Sequence, residues 1–559
     1  MLKWIAGTVL VVVVLAGALA LGGPSLILRF PALIGIISRI TDPIGPYAEV
    51  EWEEGPSVPA EAPSARPPNI VFVLVDDLGW NDLTWNGGGV ADGSVPTPNI
   101  DSLASDGVQF TMGYAGNATC APSRAALLTG RYPPRFGFES TPAPAALGKM
   151  VAEMSEPARQ PGEASALFYE DSLPKVPPME EQGMPGSEIT VAELLRESGY
   201  RTLMLGKWHL GEEPGQRPTD QGFDEFLGFY SGGSLYGAED DPEIVSARQA
   251  FDPIDVFLWS VLPFAVRKDT GPRFAPDDYM TDYLSNEAVK AINANRNRPF
   301  FLYLAYNAPH TPLQAALRDY EALDHIDHHP TRVYAAMLRG LDRGVGRVLV
   351  ALRANGLDDN TLVVLSSDNG GAHYVGIPDL NAPYRGWKMT FFEGGLHSPF
   401  FLKWPARLSA GTSVEAPVSH IDLFATAASA AGVAVPGDRK IDGVDLLPFA
   451  TGQRSGPVHE ALYWRSGVLS AVQSDGWKLQ VDGRQERRWL FDLAADPTEQ
   501  VDQSEQEPEI LRSLEARLEA HNQDLGPRSF PVLVEGVIPI DRTLADPYVP
   551  GETFAYWPN

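Results

Sequence analysis

Asn69 opens a run, Ile70-Val71-Phe72-Val73-Leu74-Val75, in which every position is apolar, and the run stops at Asp76-Asp77. A strand of this kind is buried on both faces, so it predicts a parallel sheet with helices on each side. Three later segments repeat the plan. Arg201-Thr202-Leu203-Met204-Leu205 ends in Gly206-Lys207-Trp208-His209, residues 300–306 end in Asn307-Ala308-Pro309-His310, and residues 361–365 end in Ser366-Ser367-Asp368-Asn369. Helical signals fall between them. Thr97-Pro98 places an N-cap ahead of a proline at the first helical position. Thr190-Val191-Ala192-Glu193 is a capping box opening a helix over 191–198, stopped by Gly199. The alternation predicts an α/β fold with a large, mostly parallel central sheet flanked by helices. Ligands of open α/β sheets bind beyond the carboxyl ends of the strands. Four strands here deliver polar residues to that edge.

Other stretches lack this texture. Residues 1–40 read as a signal peptide or an N-terminal membrane anchor. Lys3 precedes an uncharged apolar run over 4–22, which at about 1.5 Å per residue spans most of a roughly 30 Å hydrocarbon core. Ala18-Leu19-Ala20 reads as a small-residue cleavage site, whereas Arg29, Pro31 and Arg39 disfavour a second span over 26–40. Residues 41–68 are an acidic, proline-rich linker. The main body runs over 69–455. Its interruptions at about 138–186 and 231–276 have no lasting period and are expected to form a binding rim. Short strands at 461–464, 469–473, 477–481 and 489–493, then a helix over 508–521, predict a small antiparallel sheet plus helix at 456–525. Residues 526–559 read as an extended tail.

Composition narrows the function. With 44% hydrophobic and 21% charged residues the chain is of ordinary globular type. A net charge of −29 excludes a nucleic-acid partner, which requires a basic surface. It does not exclude an anionic small molecule, because screening over about 8 Å leaves local charges to decide. The single cysteine rules out an internal disulfide. Export without a disulfide pattern points to a bacterial periplasm or cell surface.

The polar strand ends suggest chemistry. Asp76, Asp77, Asp368 and Asn369 bring three carboxylates and an amide together, and adjacent carboxylates need a cation to stay ionised. All-oxygen donors suit Ca²⁺ or Mg²⁺ and argue against zinc. Cys120 heads Cys120-Ala121-Pro122-Ser123-Arg124, with Arg124 expected in the first turn of the following helix as positive potential beside a nucleophile or an anion. Arg124, Lys207 and Lys388 are candidates for holding anionic oxygens. His209 and His310 are candidates for proton transfer, since an unperturbed imidazole titrates near 6.5. His325, His328 and His329 lie in an acidic stretch and read as surface residues rather than a metal site, while His373 and His397 are candidates for the rim.

Cys120-x-Pro122-Ser123-Arg124 followed by Leu128-Thr129-Gly130-Arg131 resembles the signature of type I, formylglycine-dependent sulfatases, arylsulfatase-like members of the alkaline phosphatase superfamily. Residues 206–211, Gly-Lys-Trp-His-Leu-Gly, resemble a second family motif. Arg385-Gly386-Trp387-Lys388 with Phe392-Glu393-Gly394-Gly395 resembles a third. Leu490-Phe491-Asp492-Leu493 with Asp496-Pro497-Thr498-Glu499 is similar to the family's C-terminal subdomain. The resemblance covers about 69–521 outside the two interruptions, making 69–455 a sulfatase catalytic domain.

It implies that a maturation enzyme oxidises Cys120 to formylglycine. It also implies that Asp76, Asp77, Asp368 and Asn369, with residue 120, hold one divalent cation, usually Ca²⁺, with Mg²⁺ the alternative. One hydroxyl of the aldehyde hydrate attacks sulfur and releases the alcohol; the second then loses its proton, the carbonyl reforms and sulfate leaves. In the family pattern His209 acts around those hydroxyls, His310 faces the leaving group, and Arg124, Lys207 and Lys388 hold the sulfate. The implied activity is hydrolysis of an aryl sulfate or a sulfated carbohydrate. A formylglycine-dependent phosphonate monoester or phosphodiester hydrolase is the alternative, and Asp368-Asn369-Gly370 fits it less well. An inactive sulfated-glycan-binding protein is disfavoured by the intact set of reactive residues. His397 stands where many relatives carry arginine, which leaves its role open.

Overall fold

The computed structural model describes residues 32–61, 65–156 and 159–559. Most of the segment read as signal or anchor, residues 1–31, lies outside the described residues. Residues Ala32–Thr41 form helix α1, and no described helix is long and apolar enough to cross a membrane.

Ten strands make the central sheet: β1 (Asn69–Asp76), β2 (Val108–Phe110), β3 (Arg201–Lys207), β4 (Glu225–Phe229), β5 (Val266–Lys268), β6 (Arg273–Phe274), β7 (Phe300–Pro309), β8 (Thr361–Ser367), β9 (Phe400–Lys403) and β10 (Thr412–Val414). Their spatial order is β10-β2-β9-β8-β1-β7-β3-β4-β5-β6. The five strands from β8 to β4 run parallel, as the unbroken apolar runs require. The edges differ: β9, β5 and β6 pair antiparallel with their inner neighbours, and none of these short edge strands carried a readable pattern.

Alternation along β1 divides the core. Val71, Val73 and Val75 pack on one face and Ile70, Phe72 and Leu74 on the other. Helices cover both faces: α2 (Cys120–Thr129), α3 (Ala145–Ser155), α4 (Val191–Glu197), α5 (Pro253–Val261), α6 (Met280–Asn295) and α7 (His329–Ala354) are the main ones around the sheet and its cleft. The capping box at α4 forms, with Glu193 N donating to Thr190 Oγ1 at 3.2 Å and Thr190 N to Glu193 Oε2 at 2.8 Å. Thr97 instead turns its hydroxyl to Asp101 and leaves its helix without a side-chain cap.

Both aperiodic interruptions contain a helix. The first carries α3, and the second carries α5, whose N-terminus is capped by Asp252 accepting from Ile254 N and Asp255 N at 2.8 and 2.9 Å. At the C-terminus, β11 (Leu462–Ser466), β12 (Leu469–Ser474), β13 (Trp477–Asp482) and β14 (Arg487–Asp492) form the expected antiparallel sheet, with helix α8 (Pro508–Gln523) against it. The tail does more than extend. It folds into β15 (Val534–Pro539) and β16 (Phe554–Pro558), and β15 also pairs with Leu167–Phe168 of the first interruption.

A buried ionic network joins the C-terminal sheet to the main body. Lys478 Nζ on β13 donates to Glu393 Oε1 at 2.8 Å and lies 3.1 Å from Glu499 Oε1. His397 belongs to this network and not to the rim: its ring nitrogens engage Glu393 Oε2 at 3.0 Å and the Thr111 carbonyl at 2.7 Å, and it stacks on Tyr384. A second lock fixes α2 to β8. His420 bridges Ser123 Oγ at 3.1 Å and Ser366 Oγ at 2.8 Å, while Ser123 Oγ also accepts from Gly116 N. The serine of the cysteine motif therefore anchors the helix that begins at Cys120.

Two adjacent strands approach so closely that only glycine fits. A Cβ on Gly206 would lie 1.9 Å from the Ala305 carbonyl oxygen, and Gly206 also has φ +98°. Replacing Gly206 by alanine should destabilise the protein by on the order of 2–3 kcal/mol, read as a lower apparent Tm. An unchanged Tm would show that the strands can separate without cost. A pH prediction follows from His420. Burial, with Arg124 nearby, lowers its imidazole to about 3 from a normal 6.5. The folded state thus resists a proton that the unfolded chain takes up, and stability is lost as pH falls from 6.5 towards 3. The Tm difference between the native protein and His420→Asn should be largest above pH 6.5 and shrink on acidification.

Candidate active site

The carboxyl ends of β8, β1, β7 and β3, neighbours in the middle of the sheet, meet α2 from the side. Asp76 and Asp77 leave β1, Lys207 and His209 leave β3, His310 follows β7, and Asp368 and Asn369 follow β8. All are buried. Topology thus gathers residues far apart in sequence into one cluster.

Its geometry is dominated by charge pairing. Lys207 Nζ donates to Asp76 Oδ2 at 2.6 Å. Lys388 Nζ donates to Asp77 Oδ2 at 2.9 Å and lies 2.7 Å from Oδ1. Arg124 Nε and Nη2 both donate to Asp368 Oδ2, at 2.9 and 2.8 Å, and Nη1 donates to the Lys207 carbonyl at 3.0 Å. Asn369 Nδ2 donates to Asp77 Oδ1 at 2.8 Å. Cys120 Sγ is 4.0 Å from Asp77 Oδ1, and His310 Nε2 is 3.6 Å from Asp77 Oδ2.

Arg124 differs from its expected position. The helix begins at Cys120 itself, so Arg124 lies one turn on, fully buried beneath Asp368 and Asp76. It holds carboxylates in place. Lys207 is likewise fully buried, and Lys388 is the cation of this set that reaches the cavity.

Ionisation follows these contacts. Burial opposes charge on Asp76, yet Lys207, His310 and Arg124 together hold its carboxyl well below the usual carboxylate range. Burial likewise opposes charge on Asp77, which Lys388 and His310 bring down. Asp368 is pushed up to about 7, by burial and then by Asp76, against Arg124. Burial pushes the Cys120 thiol up to about 12, so as a thiol it is a weak nucleophile at neutral pH. Burial lowers His310 to about 4 and His209 well below its normal value, Lys207 adding to the latter. His310 Nδ1 is held by the Thr311 carbonyl, which leaves Nε2 for proton exchange.

Several backbone positions are strained here. Asp77, His209 and Met389 have φ of +61°, +63° and +70°. Left-handed backbone at non-glycine residues is uncommon and clusters at functional sites.

A cavity of about 480 Å³ opens above the cluster. Thr119, Cys120, His209, His310, Tyr374 and Lys388 line it, and so does His373. Tyr374, which no motif marked, donates to Asp77 Oδ2 at 3.0 Å and accepts from Lys388 Nζ at 3.0 Å. Both interruptions and the tail supply the upper walls. His325, His328 and His329 are exposed and bond Ser94, Thr331, Tyr320 and the Ser246 carbonyl.

The residues present fit a divalent cation. Ligand atoms of Asp76, Asp77, Cys120 and His310 all lie within 4.8 Å of one another, the one such grouping among the described residues. Asp76 Oδ1 and Asn369 Oδ1 are buried oxygens without a hydrogen-bond partner. Unsatisfied buried acceptors in an acidic cluster are what a bound cation relieves.

Comparison with known proteins agrees with this geometry. The sulfatase family model matches residues 68–433, and that of the N-sulphoglucosamine sulphohydrolase C-terminal region matches 385–524. N-acetylgalactosamine-6-sulfatase of Mus musculus is 35% identical over 426 residues, covering 75% of this chain and 72% of the mouse protein. Steryl-sulfatase of Rattus norvegicus is 31% identical over 559 residues, covering 82% and 90%. The crystal structure of Ps i-CgsB in complex with k-i-k-neocarrahexaose superposes with a TM-score of 0.68 at 31% identity, covering 83% of this chain and 95% of that one. The chain belongs to the sulfatase family, with its alkaline phosphatase-like fold, and is a sulfuric ester hydrolase.

Proposed function

We propose that the protein hydrolyses a sulfate monoester with a formylglycine made from Cys120 and a divalent cation held by Asp76, Asp77, Asp368 and Asn369, Ca²⁺ before Mg²⁺. The carrying observation is the buried cluster itself: a thiol pushed up to about 12 sits beside three carboxylates and three cationic side chains. With Asp368 ionised, the side-chain charges of Asp76, Asp77, Asp368, Arg124, Lys207 and Lys388 cancel. A neutral set has no net attraction for an anionic ester; a divalent cation added to it does. When bound, that cation supplies Lewis-acid stabilisation of sulfate oxygens, and an aldehyde-derived group at residue 120 supplies an oxygen nucleophile in place of the thiol.

The remaining steps fall to the chain's own side chains. Lys388 reaches the cavity floor and holds a sulfate oxygen there. Lys207 and Arg124 orient Asp76 and Asp368 from below. His310, its Nδ1 proton held by the Thr311 carbonyl, takes up a second proton at Nε2 and passes it as the imidazolium to the departing alcohol oxygen, while His209 receives one from the nucleophile side. A sulfated small molecule or carbohydrate is the substrate class in its broad form. A formylglycine-generating enzyme is the required partner. We place the protein outside the cytoplasm, in a periplasm or at a cell surface, with the apolar run over 4–22 as signal or anchor.

Two experiments test this reading. Protein from a host that makes formylglycine should cleave 4-nitrophenyl sulfate with higher kcat/KM than the matching phosphate mono- and diesters, and Cys120→Ala should lose the activity. By mass, its Cys120 peptide should have lost sulfur and two hydrogens and gained one oxygen. An unmodified thiol in fully active protein refutes the nucleophile. Chelation should abolish turnover and lower Tm, both restored by Ca²⁺ or Mg²⁺, and Asp368→Ala should be inactive with or without metal. Near-normal activity of Asp368→Ala would refute its ligand role.

A further inference from the structure

The cavity above Cys120 is polar at its floor and hydrocarbon along its walls. From this we infer that the alcohol half of the substrate is a bulky apolar skeleton, of sterol or long-chain size, and not a sugar. The inference rests on the sulfate-ester reading and names its substrate class.

Four elements outside the central sheet build the walls in series: α1 packs on α5, α5 on α3, and α3 on β15. They contribute Ile34, Leu147, Ile254, Leu258, Val261 and Val537 to the lining. Each is half-buried, covered neither fully by protein nor open to bulk solvent. The α1–α5 contact is close: a Cβ on Gly35 would lie 2.6 Å from the Ser260 carbonyl oxygen. The wall therefore includes a segment that precedes the catalytic domain in sequence. A concave space of about 480 Å³ falls within the roughly 300–1,000 Å³ that encloses a drug-sized molecule. Apolar walls of this extent favour an occupant that displaces water without needing hydrogen bonds.

The charged rim supports the same conclusion. Arg267 and Arg273 lie 2.6 and 2.9 Å from Asp42, and Arg542 lies 2.6 Å from Glu552 and 3.3 Å from Glu163. The guanidinium groups that could serve sugar hydroxyls or a chain of sulfates are thus already held by carboxylates. Glu180 and Glu212, also in the lining, carry the wrong sign for a polysulfated chain. Thr119, His209, His310 and Lys388 remain at the floor for the sulfate group. The ester enters sulfate-first, with its carbon skeleton along α3, α5 and β15.

The test compares 4-nitrophenyl sulfate, a sterol 3-sulfate and N-acetylglucosamine 6-sulfate on the matured full-length chain. The sterol ester should exceed the sugar ester in kcat/KM by about a hundredfold or more. Leu258→Asp and Leu147→Asp, on separate helices, should each lower the ratio of sterol to 4-nitrophenyl turnover at least tenfold, a ratio measured on one preparation and so indifferent to folded fraction. Calorimetric titration of sterol sulfate into Cys120→Ala protein should show binding, weakened by Leu258→Asp, and reads the cavity without turnover. Preference for the sugar ester, an unchanged ratio in both variants, or no sterol sulfate binding would overturn the substrate class while 4-nitrophenyl turnover preserves the sulfatase reading. Matured protein that cleaves no sulfate ester would overturn both.

Discussion

Three carboxylates buried at one sheet edge are the constraint around which the rest of this structure is arranged. An isolated buried carboxylate is costly, and removing one partner of a buried ion pair costs about 3–5 kcal/mol. Asp76, Asp77 and Asp368 each have a cation within 3 Å, from β3, from the segment following β8, and from α2. No single element could supply all three. The parallel strands β8, β1, β7 and β3 must be adjacent and α2 must abut their ends, which is what the Ser123–His420–Ser366 lock secures. Fold and site thus share the requirement that opposite charges be delivered to one place.

Neutrality within that cluster also bears on chemistry. Lys207 and Arg124 are fully buried, Lys207 paired with Asp76 and Arg124 with Asp368 and the Lys207 carbonyl. Lys388 differs because its environment includes the cavity, where Tyr374 accepts from the same ammonium. This division was not legible from motif position, which ranks Arg124, Lys207 and Lys388 alike. The difference arises from depth: α2 carries Arg124 inward on the turn after Cys120, and β3 ends with Lys207 under Asp76.

Legibility followed the length scale of the signal. β1, β3, β7 and β8 were readable because both their faces are buried, and each observed strand contains its apolar run. The capping box at Thr190 was readable because its two hydrogen bonds lie within one turn. Edge strands of two to four residues were not, since β5, β6 and β9 are defined by their partners. His397 shows the same limit. Its partner Glu393 is one turn away, but the reason for the pair is Lys478, brought in by a separate sheet. The helices α3 and α5 escaped notice because each packs on two or more apolar neighbours and so lacks a clean polar face.

That last failure is informative about function. A helix apolar on several sides is one whose surface is divided between core and ligand space. On α5, Trp259 turns into protein and is nearly covered, whereas Ile254, Leu258 and Val261 are half-buried at the cavity. The same division recurs on α3, where Ala146 is covered and Leu147 lines the open space. The charge that defines the chemistry is written in short motifs at strand ends, because a sulfate group is small and its recognition local. Recognition of the alcohol is spread over α1, α3, α5 and β15, so no short motif can encode it, and it becomes visible only where the chain closes around an apolar space.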